Sequence, residues 1–191
     1  MDDSAMTIQL SYHIHRARVG RRRLANVTAL PEMGVRTELE RLRSRGFVRW
    51  DRSGVTLTPS GRRHFAVALH AIHDVRAVEL ETLQLGFTSL AAHVTVPARH
   101  PVWALRDVAV RGGATALILL RWEGSGWLFA HNAEPVAKRN AADAETLASR
   151  FAGAEPGDLL VIAFGLDRRS AGLGLWRALT ALLETKAQAS A

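Results

Sequence analysis

The chain has 191 residues, of which 48% are hydrophobic and 23% are charged. This apolar content can fill a core, and the charge is moderate, so the composition excludes a wholly disordered protein. The absence of cysteine excludes disulfides, thiolate catalysis and cysteine-ligated metal centres.

Neither a membrane span nor a secretory signal is expected from the sequence. The longest apolar runs, residues 115–120 and 159–164, have the length of strands and fall far short of the roughly 20 residues of a membrane-spanning helix. Asp2 and Asp3 stand where a secretory signal would need positive charge. We therefore expect a cytoplasmic protein with no membrane partner.

The positive charge of the chain is confined to one end. Residues 1–73 hold 13 arginines against 6 acidic residues, whereas residues 74–191 hold 12 basic and 12 acidic residues. A basic block beside a neutral block indicates a module that binds a polyanion, followed by a second domain. Arginine suits phosphate and base-edge contacts, although high-GC coding or a hot habitat also raises the arginine content.

The hydrophobic spacing of the basic block predicts helices around a hairpin. Val35, Leu39 and Leu42 recur at helical spacing and form one stripe that would face a core. Residues 51–54 separate two apolar-rich runs with turn-forming residues, which indicates a β-hairpin. The predicted elements are, in chain order, helices 7–17, 21–27 and 34–45, strands 47–50 and 55–57, and a helix 59–72.

Three segments of this block resemble the winged helix-turn-helix transcriptional regulators. Residues 34–42, GVRTELERL, look like the recognition helix of that family, and residues 44–48, SRGFV, like its exit into the wing. Residues 57–61, LTPSG, look like the L-T-x-x-G motif that begins the next helix. The resemblance covers residues 7–72 and implies that residues 1–73 are a domain that binds double-stranded DNA.

The DNA-contacting residues are expected on the side of helix 34–45 that faces away from its apolar stripe. The N-terminal residues of such a helix reach base edges in the major groove, and Arg36 and Arg41 are suited to guanine. Arginines at the start of helix 21–27 would contact phosphates, and two further arginines would decorate the wing. The expected set is Arg21, Arg22, Arg23, Arg36, Thr37, Arg41, Ser44, Arg49 and Arg52.

The same basic face has an alternative interpretation as the solvated surface of a winged-helix protein–protein adaptor. Glu38, Glu40 and Asp51 favour this alternative, since carboxylates repel phosphates. The two interpretations differ in a single observable, which is binding to duplex DNA.

One histidine pair has the spacing of a weak metal site. His70 and His73 stand three residues apart on the predicted helix 59–72, next to Asp74. Exposed histidines are common on helices of a chain with this composition, so we leave metal binding by the pair open and predict no metal site and no cofactor.

The neutral block predicts strands that alternate with helices. This order is typical of a compact α/β sandwich-type domain, so the whole chain is expected to be α+β, with a winged helix-turn-helix followed by that domain. The predicted strands are 78–85, 88–96, 115–122, 127–130 and 159–164, and the predicted helices are 102–111, 141–151 and 170–186.

Part of this block also carries a resemblance. Residues 105–115, LRDVAVRGGAT, are similar to an R-D-x-A-x-x-x-G-A-T signature of archaeal winged-helix proteins whose C-terminal domain has no known function. The resemblance implies the same arrangement of two domains and supplies no ligand. We therefore expect residues 74–191 to be an effector-binding or dimerisation domain.

Ligand-binding residues are expected where strands end and helices begin in the neutral block, because such places attract ligands and anions. A structural ion pair between Arg106 and Asp107 is the alternative for those two residues. Gly172 and Gly174 lack the third glycine of a dinucleotide fingerprint. The expected ligand-binding set is Arg106, Asp107, Thr115, His131, Asp167 and Ser170.

The sequence favours a regulator over an enzyme. It contains no G-x-S-x-G, P-loop or H-E-x-x-H motif, so we predict no catalytic residue. We predict a DNA-binding transcriptional regulator, homodimeric, whose second domain senses a small-molecule effector. The adaptor and, less favoured, an enzyme are the alternatives.

The dimer would form through one of two helices. One is the helix that ends at Ile72, and the other is helix 170–186, whose apolar face comprises Leu175, Trp176, Leu179 and Leu183.

Overall fold

The computed structural model describes residues 4–96 and 101–189, and side chains up to residue 184, so that Asp2 and Asp3 lie outside the described residues. The chain divides into two compact units, Met1–His70 and Ala71–Ala191. The first is helical with a two-stranded hairpin, and the second contains a five-stranded antiparallel sheet covered by helices. The predicted α+β class is confirmed. No helix among the described residues is long and apolar enough to cross a membrane.

The elements of the first unit follow the predicted order. The hydroxyl of Ser4 caps α1 by accepting the N–H of Thr7, and Pro31 occupies the N-cap of α3. The predicted helix 59–72 is interrupted at Phe65. The elements are α1 (Ala5–Arg16), α2 (Arg21–Thr28), α3 (Glu32–Ser44), β1 (Val48–Asp51), β2 (Gly54–Leu57), α4 (Pro59–His64) and α5 (Ala66–Ala71).

A close backbone contact fixes the hairpin where α4 begins. The hydroxyl of Thr58 accepts the N–H of Gly61 at 3.0 Å and donates to the carbonyl of Gly46 at 2.6 Å. The N–H of Thr58 donates to the carbonyl of Phe47 at 2.9 Å. A Cβ atom on Gly61 would lie 2.1 Å from the carbonyl oxygen of Phe47, so a glycine is required at this position.

The second unit contains one antiparallel sheet in the order β3-β4-β7-β5-β6. Its strands pair in register along their length, except for an irregularity between Ile72 and Asp74 in β3. The elements are β3 (Ile72–Val78), β4 (Thr88–Val94), α6 (Val102–Arg111), β5 (Ala116–Trp122), β6 (Trp127–Phe129), a 3-10 turn (Val136–Lys138), α7 (Ala141–Arg150), β7 (Leu159–Gly165) and α8 (Arg168–Ala189).

The two faces of the sheet carry separate helices. Leu160 and Ile162 of β7 share a core with Leu147 and Phe151 from the α7 region. On the other face, α8 packs against β4 and β7, and α6 packs against β5 and α8. This burial supplies the main stabilisation of the unit, since the free energy of folding scales with the apolar area that is removed from water.

The apolar face of α8 is buried inside its own unit. Leu175, Trp176 and Leu179 are each at most 2% exposed. The prediction that this face forms a dimer interface is therefore wrong for these three residues, because they already pack inside the unit. Leu183, the fourth residue of the predicted interface, is half-buried.

Two predicted elements differ from the structure at the start of the second unit. The strand predicted at 78–85 lies earlier in the chain, at Ile72–Val78, and residues 79–87 form a loop. The preceding helix ends at Ala71, so His73 lies on β3 and does not share a helix with His70. Among the described residues, no group of three or more histidine or acidic side chains could hold a metal ion.

One carboxylate explains why residues 79–87 leave the sheet. The side chain of Asp143 on α7 accepts the backbone N–H groups of Glu81, Thr82 and Leu83 at 2.6, 2.9 and 2.8 Å, and the hydroxyl of Thr82 at 2.7 Å. Burial raises the pKa of Asp143, but these donors outweigh burial and hold the pKa below its ordinary value.

Gly61→Ala is expected to destabilise the first unit by at least about 2 kcal/mol, because the added methyl group would overlap a carbonyl that cannot move without breaking the hairpin junction. Thermal or urea unfolding measures the loss. Gly34→Ala in α3 is the matched control, since a Cβ atom built there meets only the side-chain end of Met6, at an ordinary contact distance of 3.7 Å. Equal stability of the two variants would contradict the close contact.

Asp143→Asn is expected to lower the free energy of unfolding at pH 7 by about 2 kcal/mol, because the variant loses hydrogen bonds to a charged acceptor. The pKa of Asp143 is lowered on folding, so its contribution is fully present above the ordinary carboxyl pKa of about 3.9 and disappears as the pH falls through the lowered value. Urea titrations at several pH values test this. Asp107→Asn, on the exposed side of α6, is the control, and a pH-independent difference would contradict the account.

Candidate nucleic-acid interface

The helix α3 packs against the rest of the first unit through one apolar stripe. Val35, Leu39 and Leu42 are buried, as predicted. The α2–α3 connection turns at Ala29, which has a positive φ of 54°, and the N–H of Leu30 then closes back onto the carbonyl of Ala25 at 3.2 Å. With α2 packed against it, α3 presents its opposite face to solvent, which is the arrangement of a helix that enters the major groove.

The exposed face of α3 carries the predicted polar residues. Arg36, Thr37, Glu40, Arg41 and Ser44 all lie on this face and are exposed. The Arg36 Nε donates to Glu40 Oε1 at 2.9 Å, and both side chains are more than half exposed. Such an exposed ion pair is weak because water screens it, so Arg36 can exchange Glu40 for a base or a phosphate.

Arg41 has a different environment from the rest of this face. Its guanidinium donates to both carboxylate oxygens of Glu38, at 2.9 and 2.7 Å, and to the hydroxyl of Thr7 at 2.9 Å. Thr7 is fully buried on α1 and donates to Glu38 at 2.5 Å. This three-residue cluster ties α3 to α1, so Arg41 contributes to the fold, while its contact with guanine stays a prediction.

The electrostatics of Glu38 agree with that assignment. Burial raises the pKa of Glu38, but the hydrogen bonds from Arg41 and Thr7 outweigh burial and lower the pKa below its ordinary value. The carboxylate is therefore charged at neutral pH and is satisfied inside the cluster, which reduces the repulsion of phosphate that the sequence alone suggests.

The start of α2 combines exposed arginines with an uncapped helix end. Gly20 is the N-cap and makes no side-chain cap bond. Arg21 pairs with Glu32 at 3.2 Å. Arg22 and Arg23 are exposed, and neither makes an ion pair with another part of the described chain. Free N–H groups and arginines at a helix start suit phosphate.

The wing, which is the hairpin formed by β1 and β2, is anchored at its base and at its tip. Val55 of β2 is bonded to a residue outside the hairpin, because its N–H donates to the carbonyl of Val19 at 2.9 Å. The Arg18 Nη1 donates to Ser53 at 2.6 Å, and the Asp51 carboxylate accepts the N–H of Ser53 at 2.7 Å. Hydrogen bonds from Ser53 lower the pKa of Asp51.

A groove of about 360 Å³ lies between α2, α3 and the wing. The structure brings the predicted residues Arg21, Arg36 and Arg52 to this groove, together with Glu40 and Asp51. Three guanidinium groups from separate elements around one concave surface can bind an anionic polymer that passes along it.

The predicted set leaves out two arginines that contact the wing. The first is Arg18, which contacts the wing as described above. The second is Arg43, whose guanidinium lies 4.5 Å from the centre of the Trp50 ring on β1. No local motif identifies either contact, because each depends on how the hairpin folds back. The arginine-rich composition was the available signal.

The structure brings the predicted ligand-binding residues together in parts. Thr115 and Ser170 both lie close to Gly165. Asp167 and Ser170 cap the start of α8, since the N–H of Ser170 donates to Asp167 Oδ1 at 2.7 Å. The hydroxyl of Thr115 donates to the carbonyl of Leu85 at 3.1 Å. The expected alternative for Arg106, an ion pair with Asp107, does not occur in the described structure. Arg106 and His131 do come together, at a second groove.

Arg41→Ala is expected to lower the free energy of unfolding of the first unit by about 1 kcal/mol, because it removes donors from a partly buried carboxylate. Arg22→Ala, which removes an equal charge without a partner, should leave stability unchanged. Urea unfolding of the two variants measures the difference. If they unfold alike, the Thr7–Glu38–Arg41 cluster does not hold α3 on α1.

One comparison with known proteins supports a DNA-binding role for this part of the chain. Residues 9–72 match a family model described as the CggR N-terminal DNA binding domain, and the match spans α1 to α5. The N-terminal part of the chain is thus supported as a DNA-binding domain of the helix-turn-helix type found in regulators. No curated protein compared with this chain shows significant similarity to it.

A solved structure shares the fold of nearly the whole chain. The hypothetical protein PH0730 from Pyrococcus horikoshii OT3 is 18% identical, with a TM-score of 0.77 over 97% of this chain and 95% of that chain. At this identity the likeness concerns the fold alone.

Proposed function

We propose that the protein is a transcriptional regulator that reads duplex DNA with the exposed face of α3. The observation that carries the proposal is the groove at which Arg21, Arg36 and Arg52 converge beside that face. The match of residues 9–72 to a DNA-binding domain gives independent support.

The contacts divide between bases and backbone. Arg36 and Thr37 lie in the first half of α3, where side chains reach base edges, and Arg36 suits guanine. Glu40 can then accept a hydrogen bond from the amino group of cytosine. Arg22, Arg23, Arg49 and Arg52 contact phosphates and carry the salt dependence, together with Arg21.

The proposal includes a homodimer that binds a pseudo-palindromic site. Two recognition helices would be spaced by about one helical turn of DNA or a multiple of it. Because most of the apolar face of α8 is buried, the surfaces left for a second copy are the predicted alternative, the helix α5, on which Val67 is 42% exposed, and the apolar side chains that the second unit exposes. Phe87 is 84% exposed and Leu166 is 67% exposed.

The second unit is proposed to sense a small molecule. A ligand there changes DNA affinity only if it binds one arrangement of the dimer better than the other. The protein–protein adaptor is the competing function, and it predicts a basic face that does not bind duplex DNA at low salt.

The double variant Arg22→Ala/Arg23→Ala is expected to weaken binding to duplex DNA. Each lost phosphate contact should reduce the slope of log affinity against log salt by about 0.9, so the slope should become less steep by about 1.8. Fluorescence anisotropy with labelled duplex from the upstream region of the gene, across a salt series, gives both quantities.

The matched control for this experiment is Arg111→Ala/Arg150→Ala, which removes the same charge from the second unit. It should leave the slope nearly unchanged. Equal slopes for the wild type and the Arg22/Arg23 variant would contradict the proposed phosphate contacts, and absence of any binding at low salt would favour the adaptor.

A further inference from the structure

The second unit contains an open groove of about 770 Å³ beside the first half of β5. This volume is in the range of small-molecule sites. Nine of its eleven described lining residues are apolar, including Trp103 on α6, Leu117 and Leu119 on β5, and Phe129 at the end of β6. The remaining two are Arg106 and His131.

The sheet leaves this groove open because one strand is short. The strand β6 pairs with β5 only at Leu120–Trp122. The carbonyl of Leu119 still accepts the N–H of Ala130 at 2.9 Å, so it is residues 116–118 of β5 that have no partner on that side within the described part of the sheet. The helix α6 provides another wall, on which Trp103 is 70% exposed. A large aromatic side chain left exposed beside an apolar groove indicates a site that a ligand can cover.

Arg106 gives the described lining of the groove a positive charge. The side chain of Arg106 is exposed and makes no ion pair or hydrogen bond with any other described residue. No aspartate or glutamate occurs among the described residues that line the groove. A guanidinium in apolar surroundings favours a carboxylate, because its planar donors match the two carboxylate oxygens.

His131 provides a second polar group at the same site. Its ring centre lies 5.7 Å from that of Phe129, so the imidazole stands beside the aromatic wall. The two polar residues and the aromatic side chains therefore line one concave surface, which is the composition expected for a site that orients an apolar molecule by one polar end.

We propose that this groove binds a small carboxylate with an aromatic or aliphatic apolar body. Arg106 pairs with the carboxylate, His131 hydrogen-bonds to it, and Trp103, Leu117 and Phe129 pack against the body. Assigning this molecule as the effector rests on the proposed regulatory function, whereas its binding to the groove does not.

The proposal is tested by calorimetric titration of the full-length protein with 2-naphthoate and decanoate, each compared with its neutral amide. We expect at least one carboxylate to bind, and its amide to bind about tenfold more weakly, because the amide lacks the charge that pairs with Arg106. Arg106→Gln should reduce carboxylate affinity about tenfold and leave the affinity for the amide unchanged.

Arg111→Gln is the matched control, since it removes an equal charge from the same helix outside the groove, and it should leave both affinities unchanged. The inference is overturned if neither carboxylate binds at millimolar concentration, if acid and amide bind equally, or if Arg106→Gln has no effect. It is also overturned if Trp103→Ser converts a dimer into a monomer in light scattering while no carboxylate binds, since a second copy would then occupy the groove.

Anisotropy with duplex DNA on the same preparations separates this inference from the proposed function. DNA binding without carboxylate binding would leave the regulator in place and remove the ligand site. Carboxylate binding without DNA binding would keep the site and remove the regulator.

Discussion

The hydrogen-bonded junction between residues 46–47 and 58–61 determines the geometry of the DNA-binding unit. The helix α3 ends at Ser44 and the wing begins at Val48, so this junction sets the position of the wing relative to the helix. Thr58 joins the two chain segments, and Gly61 permits an approach that any side chain would block. The groove between α2, α3 and the wing depends on this arrangement.

The arginines of the first unit perform two different tasks, and composition alone does not separate them. Arg41 and Arg18 bind other side chains and hold α3 and the wing in place. Arg22 and Arg23 have no such contacts in the described chain, so their charge is available to a partner. Arg36 is intermediate, because its exposed pair with Glu40 is readily exchanged. A basic surface therefore becomes an interface only through the arginines that folding leaves free.

Local pattern predicted the first unit and much of the second, and it failed where distant contacts decide the structure. The stripe of α3 and the hairpin turn are set by residues close in sequence. The position of β3 was wrong because the loop after Val78 is held by Asp143, about 60 residues away. The pairing of His93 with Asp158 at 2.7 Å, across 65 residues, is equally invisible to spacing. The apolar spacing on α8 is compatible both with packing against a sheet and with binding a partner, so the sequence pattern does not distinguish the two.

The central claim, that α3 and the wing contact DNA, is tested most directly by amide hydrogen exchange of the intact protein with and without a tightly bound duplex. The account predicts slower exchange on DNA binding in the first half of α3, at the start of α2 and in the wing. Exchange that is unchanged across residues 20–57, with DNA bound, would contradict the account and place the interface elsewhere.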